Sequence, residues 1–131
     1  MPETTPVAAK IHDPETCVVH MGAGQRMPEI LCELLNPVNP ATQHVYRLPA
    51  NADVELHYHD FDEYWAFIEG HARVTLRTPG GVARDFDLGP GDMVACLRGM
   101  EHTLWADHEL VYYQYTSFLS GEERPGHLVR E

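Results

Sequence analysis

From residue 43 onward, the chain consists of short β-type segments separated by breaks that contain glycine or proline. The candidate strands cover residues 43–48, 53–59, 63–69, 71–78, 82–88, 93–97, 102–107 and 109–118. Short strands at this even spacing, with no long helical period, are typical of β-sandwiches and β-barrels. The sequence therefore predicts an all-β fold. We expect a single domain over residues 1–131, with residues 1–10 and 120–131 peripheral.

The segments before residue 43 are less regular. We expect a first strand within residues 11–20, and residues 27–35 fit either a strand or a short helical turn. Residues 36–40 (NPVNP) predict a loop. Thr78-Pro79-Gly80-Gly81 predicts a hairpin turn, because glycine accepts positive φ without steric cost.

Charge and cysteine content exclude several classes of protein. The formal net charge of −11 and a pI near 5.1 disfavour nucleic acid and anionic membranes as partners. The N-terminal residues have neither the basic region nor the apolar region of a signal peptide, and no apolar run approaches the ~20 residues of a membrane helix. Three cysteines without a CxxC pair form neither a disulfide framework nor a zinc–cysteine site. We therefore expect a cytoplasmic protein.

Two histidines and a carboxylate have the spacing of metal ligands. His57 and His59 lie on one face if residues 53–59 form a strand, and their imidazoles can then meet one ion at about 2.0–2.2 Å. Glu63 opens the next strand, where a short turn can return its carboxylate to the same place. This 2-His-1-carboxylate set suits Fe(II) and related ions. The alternative is a half-exposed strand with surface histidines, followed by a solvated turn containing Asp60 and Asp62.

The HxHxxxE pattern and a later glycine-rich segment together resemble the two motifs of the cupin superfamily. The resemblance covers residues 51–106. Asn51 replaces the leading glycine of the first motif and also tolerates positive φ. Leu97 and Ala106 replace the proline and asparagine of the second motif. The matched positions are His57, His59, Glu63, Gly70, Gly91, Gly99 and His102.

This resemblance implies a cupin-type β-barrel, also called a double-stranded β-helix or jelly roll, with a metal inside its mouth. It adds His102 as a fourth ligand. One divalent transition metal per chain is expected, with Fe(II) favoured and Mn, Ni, Cu or Zn left open. By the same resemblance we expect a homodimer, paired through residues 11–20 and 43–48.

Other side chains are candidates for a substrate pocket. Trp65 and Phe67 have the strand parity of Glu63, and Tyr113 and Tyr115 could bring hydroxyl groups near the metal. Arg47 could hold an anionic substrate. The alternative is that the four aromatic residues belong to the core and that the arginine is solvated. The remaining histidines have no ligand spacing and are interpreted as surface or internally satisfied residues: His12, His20, His44, His71, His108 and His127.

These expectations favour an enzyme that acts on a small organic substrate. Four protein ligands leave about two positions on an octahedral ion, enough for a chelating substrate or dioxygen. Dioxygenase-like oxidation is the favoured reaction. The alternatives are isomerase, epimerase or lyase chemistry on a sugar or oxo-acid, and a cupin that binds a small ligand without turnover.

Overall fold

The computed structural model describes residues 18–20, 37–118 and 126–130, and within these residues the chain forms strands and turns but no helix. Accordingly, no membrane-spanning helix occurs in the described part. The strands are β1 Val18–His20, β2 Val38–Leu48, β3 Glu63–Glu69, β4 Ala72–Arg77, β5 Ala83–Leu88, β6 Asp92–Cys96, β7 Glu101–Trp105 and β8 Leu110–Ser117.

The strands form two antiparallel sheets. One has the order β1-β6-β3-β8-β2 and the other has the order β5-β4-β7. Side chains alternate between the two faces of each strand, so that Ala72, Val74 and Leu76 of β4 are buried. They join Trp65 of β3 and Leu104 of β7 in one hydrophobic cluster, so the core draws on both sheets. The all-β prediction is confirmed.

Most predicted strands agree with the structure to within one or two residues, and two predictions differ from it by more. The predicted loop at residues 36–40 lies partly within β2, which begins at Val38 and has an irregular register between Asn39 and His44. An edge strand with a bulge tolerates Pro40, because the missing N–H is not needed there. The predicted strand at 53–59 forms only isolated bridges, at His57 and Tyr58.

Two backbone predictions are confirmed. The backbone N–H of Gly81 donates to the carbonyl of Thr78 at 2.9 Å, closing the hairpin turn with Gly81 at φ +92°. Asn51 has φ +59°, the conformation expected where it replaces a glycine. The strand β1, Val18–His20, lies within the segment 11–20 where a first strand is expected. Residues 11–17 and the expectation for residues 27–35 lie outside the described residues.

A buried ion pair joins the loops at one end of β3. Asp62 is fully buried, and its carboxylate accepts hydrogen bonds from the backbone N–H of Arg98 at 3.0 Å and from its guanidinium at 3.1 Å. The backbone of Asp62 also exchanges hydrogen bonds with Ser117. Asp62 is therefore part of a buried junction, and the solvated-turn alternative does not describe it.

We predict that Arg98→Ala destabilises the chain by about 3 kcal/mol or more, because it leaves the Asp62 carboxylate buried without its cation. The matched control is Arg47→Ala, since Arg47 pairs with Glu109 at 3.3 Å while both side chains are more than half exposed. That change should cost about 1 kcal/mol or less. Urea denaturation measures both, and equal losses would contradict the structural role of the buried pair.

Candidate metal centre

Reciprocal backbone hydrogen bonds bring the two motif segments together. The N–H of His57 donates to the carbonyl of His102 at 3.2 Å, and the N–H of His102 donates to the carbonyl of His57 at 2.7 Å. The N–H of Gly99 donates to the carbonyl of His59 at 2.8 Å. These three bonds place His102 of β7 beside the two histidines of the HxH segment.

The three histidines form a buried cluster. Their exposed fractions are 8% for His57, 4% for His59 and 0% for His102. One ring nitrogen from each lies within 4.8 Å of the others, close enough for one ion to reach all three. The structure therefore contains a possible three-histidine metal site.

One ring nitrogen of each histidine faces a backbone carbonyl. Nδ1 of His57 lies 2.6 Å from the carbonyl oxygen of Glu55, Nδ1 of His59 lies 2.6 Å from that of Gly126, and Nδ1 of His102 lies 3.3 Å from that of Met100. A carbonyl oxygen can only accept, so Nδ1 carries the proton in each ring. In the neutral form of each ring, Nε2 therefore keeps a free lone pair, and this is the tautomer that binds a metal through Nε2.

Two of these lone pairs have no partner in the protein. Nε2 of His59 and Nε2 of His102 are buried and make no hydrogen bond. A buried polar atom without a partner costs about 1–3 kcal/mol, so such atoms call for an explanation. A divalent cation bound between the Nε2 atoms accounts for both of them, and the donor set fits such an ion.

Glu63, the first residue of β3, lies beside the cluster. Its Oε1 atom is 3.2 Å from Nε2 of His59, and its Oε2 atom is 3.6 Å from Nε2 of His102. The indole N–H of Trp65 donates to Oε2 at 2.8 Å, and the amide of Gln114 donates to Oε1 at 3.4 Å. These two donors hold the carboxylate against the histidines.

The pKa shifts of His57, His102 and Glu63 favour the metal-binding protonation states at neutral pH, whereas that of His59 favours the protonated ring. Burial lowers the pKa of His102 to about 3 and also lowers the pKa of His57, so both rings are neutral. Burial opposes ionisation of Glu63, but His59 and His102 outweigh it and lower the pKa of its carboxyl group. Burial likewise opposes protonation of His59, where the Glu63 carboxylate outweighs it and raises the pKa.

A cavity of about 340 Å³ opens beside this cluster. Apolar side chains form much of its wall, and polar groups from His57 and Glu63 reach it from the metal side. This is a volume suited to a small organic molecule. The lining residues are Tyr46, Leu48, Asp53, Val54, Glu55, His57, Glu63, Trp65, Leu104, Tyr112, Gln114 and His127.

Solved structures with the same architecture come from several proteins. A tryptophan-to-phenylalanine variant of oxalate decarboxylase from B. subtilis matches with a TM-score of 0.54 and 25% identity, over 64% of this chain and 23% of that chain. The CENP-C cupin domain of Drosophila melanogaster matches with a TM-score of 0.55 and 17% identity, over 60% of this chain and 62% of that one. The fold is that of the cupins.

Sequence comparison adds a relative of unknown activity. No family model matches the chain. The uncharacterized protein y4oW of Sinorhizobium fredii (strain NBRC 101917 / NGR234) is 39% identical over 83 residues, which is 61% of this chain. This chain spans 35% of that protein and less than a quarter of the oxalate decarboxylase chain. The solved structures, and not this relative, confirm the cupin fold expected from the two motifs.

The cupin fold places the expected pocket residues in different surroundings. Trp65 lines the cavity. Phe67 is 3% exposed and packs in the core against Tyr112. Arg47 is exposed and pairs with Glu109 instead of facing the cavity.

The register of β8 places the two expected tyrosines on the other face of the sheet. Trp65 is paired with Gln114, and Phe67 is paired with Tyr112. Directly paired residues share a face, so Gln114 and Tyr112 face the cavity. Tyr113 and Tyr115 point the opposite way, and neither lines the cavity.

Sequence reasoning missed the part played by residues 126–130. His127, interpreted as a surface or satisfied histidine, lines the cavity, and its ring centre lies 4.3 Å from that of His57. The carbonyl of Gly126 faces His59. No local spacing signals either contact, because these residues lie far along the chain from the two motifs.

We predict that His57→Ala and His102→Gln each remove most bound metal while leaving a folded protein, because each removes one imidazole ligand. His44→Ala is the control, since His44 is exposed and outside the cluster. Elemental analysis gives the metal content and circular dichroism the fold. Full metal content in both site variants would contradict the site, whereas loss of the fold in both would indicate a structural metal.

Proposed function

We propose that this cupin domain is a mononuclear metal-dependent enzyme that acts on a small organic molecule able to chelate the ion. The observation that carries this proposal is the pair of buried, unpartnered Nε2 atoms of His59 and His102 beside a cavity of about 340 Å³. A metal site enclosed by protein on every side would suit a structural role. Here His57 and Glu63 also border the cavity, so a ligand there would reach the metal centre.

We infer that His57, His59, Glu63 and His102 hold the ion together. The position of Glu63 supports this, since its two oxygens lie 3.2 Å and 3.6 Å from the Nε2 atoms of His59 and His102. When bound, the ion would supply Lewis acidity, and iron or copper would also supply redox chemistry with dioxygen. Fe(II) is our first choice for this ligand set, and oxidation of the substrate by dioxygen is our first choice of reaction.

The protein side chains orient the site and exclude water. Trp65 and Gln114 hold the Glu63 carboxylate by hydrogen bonds, which fixes its direction and keeps it ionised. Leu48 and Leu104 contribute apolar wall to the cavity. A substrate with an apolar body and two adjacent oxygen donors would therefore fit, with the donors towards the histidines.

The charge of the cavity bears on the substrate. Among the described residues that line it, the charged side chains are the carboxylates of Asp53, Glu55 and Glu63, and none is an arginine or lysine. A highly anionic substrate would be repelled except at the ion itself. We therefore favour substrates that are neutral or carry few negative charges, such as diketones or catechols.

A non-oxidative lyase is the second candidate. It is supported by the likeness to structures of oxalate decarboxylase, which are 25% and 28% identical to this chain over the aligned residues. In such a reaction the ion would act as a Lewis acid towards a carboxylate or carbonyl substrate.

We predict that Glu63→Gln weakens binding of a divalent metal about tenfold or more, because a neutral amide replaces an ionised ligand. Glu55→Gln is the control, since Glu55 also lines the cavity but its side chain is exposed. Titration against a competing chelator measures both affinities. Unchanged affinity in Glu63→Gln would exclude Glu63 as a ligand and leave a three-histidine site.

We predict about one iron per chain in protein purified without a histidine tag, and oxygen uptake on a panel of diketones, thiols, catechols and sugars. Elemental analysis and an oxygen electrode measure the two quantities. Zinc, manganese or nickel with turnover but no oxygen uptake would support the lyase or an isomerase instead. Tight binding of a panel compound without turnover would contradict an enzyme and indicate a ligand-binding cupin.

A further inference from the structure

The described residues 126–130 contact the segments that carry the metal-binding histidines. The backbone N–H of Tyr58 donates to the carbonyl of Leu128 at 2.8 Å, and the N–H of Leu128 donates back to the carbonyl of Tyr58 at 3.0 Å. Tyr58 lies between His57 and His59 in the sequence. This reciprocal pair therefore fixes the 126–130 segment against the HxH segment itself.

Arg130 ties the same segment to the second motif. Its guanidinium carbon lies 4.1 Å from the ring centre of Tyr58, and its Nη1 atom donates to the carbonyl of Gly99 at 2.7 Å. Nη1 also lies 3.6 Å from the carboxylate of Glu101, which is 2% exposed and precedes His102. A single side chain thus bridges the two segments that carry the ligands.

His59 differs from the other two histidines in how its ring is held. His57 and His102 each donate from Nδ1 to a carbonyl two residues earlier in the chain. His59 instead donates to the carbonyl of Gly126, 67 residues away. The local backbone therefore fixes two of the rings, whereas the orientation of the third depends on the 126–130 segment.

We propose that the 126–130 segment is a positioning element of the metal centre: the Gly126 carbonyl orients His59, and Arg130 anchors the segment. This inference rests on the metal site proposed above. Hydrogen-bond partners of metal-binding histidines fix the tautomer and direction of the ring, and their loss typically weakens metal binding about 10- to 100-fold. Gly126 and Arg130 are positioning residues in this sense.

The chain offers a matched pair of glycines for the test. Gly126 has φ +100°, Gly81 has φ +92°, and a Cβ added at either position would meet no atom within 4 Å. Alanine therefore disturbs both backbones through conformation alone, without a steric clash. Gly81 lies in the β4–β5 turn, outside the segments that carry the ligands.

The first measurement is a Co²⁺ titration of the full chain, in which binding is monitored through the visible absorption of the Co²⁺ complex. Gly126→Ala should weaken Co²⁺ binding about tenfold or more and alter the spectrum, whereas Gly81→Ala should stay within about twofold of the unchanged chain. Equal affinities in the two variants would overturn the proposal.

The second measurement needs no metal and separates this inference from the proposed function. In ¹⁵N NMR of the metal-free chain, the Nδ1–H of His59 should be protected from hydrogen exchange with water. Its signal is assigned as the one that disappears from the spectrum of the His59→Gln variant. Gly126→Ala should abolish that protection and Gly81→Ala should keep it. If the Nδ1–H of His59 is protected but the unchanged chain binds no metal, the metal site alone is refuted. If the unchanged chain binds metal but Gly126→Ala leaves the protection unaltered, the positioning role alone is refuted.

Variants of Arg130 keep the proposal falsifiable if Gly126→Ala does not fold. Arg130→Ala should weaken Co²⁺ binding several-fold and increase exchange at Nδ1 of His59. Arg130→Lys should restore part of both, because lysine keeps the charge but has fewer donors. Unchanged Co²⁺ affinity and exchange in Arg130→Ala would contradict its anchoring role.

Discussion

The rest of the site depends on the reciprocal backbone pairing of His57 with His102. His102 belongs to β7 of the three-stranded sheet, whereas Glu63 belongs to β3 of the five-stranded sheet. The pairing therefore holds the HxH segment against one sheet while the neighbouring carboxylate comes from the other. Because both sheets share one hydrophobic cluster, the packing of the core sets the distances between the metal-binding groups.

Two buried atoms of the proposed metal site oppose folding of the metal-free chain. The buried Nε2 atoms of His59 and His102 have no hydrogen-bond partner, and each such atom opposes folding by about 1–3 kcal/mol. Hydrogen bonds that each Nδ1 donates to a backbone carbonyl, and those that Glu63 accepts from Trp65 and Gln114, hold these groups in place despite that cost. A divalent ion would supply the missing partner and stabilise the folded state by mass action. Such local conflict with the rules of folding is characteristic of functional sites.

Local patterns in the sequence were enough to predict most strands and to place His57 and His59 on one face, because both follow from the two-residue period of a strand. His102 was added by the resemblance to the cupin motifs, since it lies far along the chain from the other two histidines. The residues that line the cavity were harder to predict. Whether Tyr112 and Gln114 or Tyr113 and Tyr115 face the cavity depends on the register between β8 and β3, and a shift of one residue exchanges the two sets. The contact of Gly126 with His59 joins distant parts of the chain and leaves no periodic signal.

The positions of the arginines bear on which molecules the proposed site would bind. Four of them bind groups of the protein: Arg47 pairs with Glu109, Arg77 with Glu101, Arg98 with Asp62, and Arg130 donates to Gly99. None of these four lines the cavity, whose described charged residues are acidic. Attraction of an anionic ligand by an arginine side chain would therefore contribute little to which ligands this cavity binds. Chelation of the ion, together with the fit of an apolar body against Leu48, Trp65 and Leu104, would determine which molecules bind.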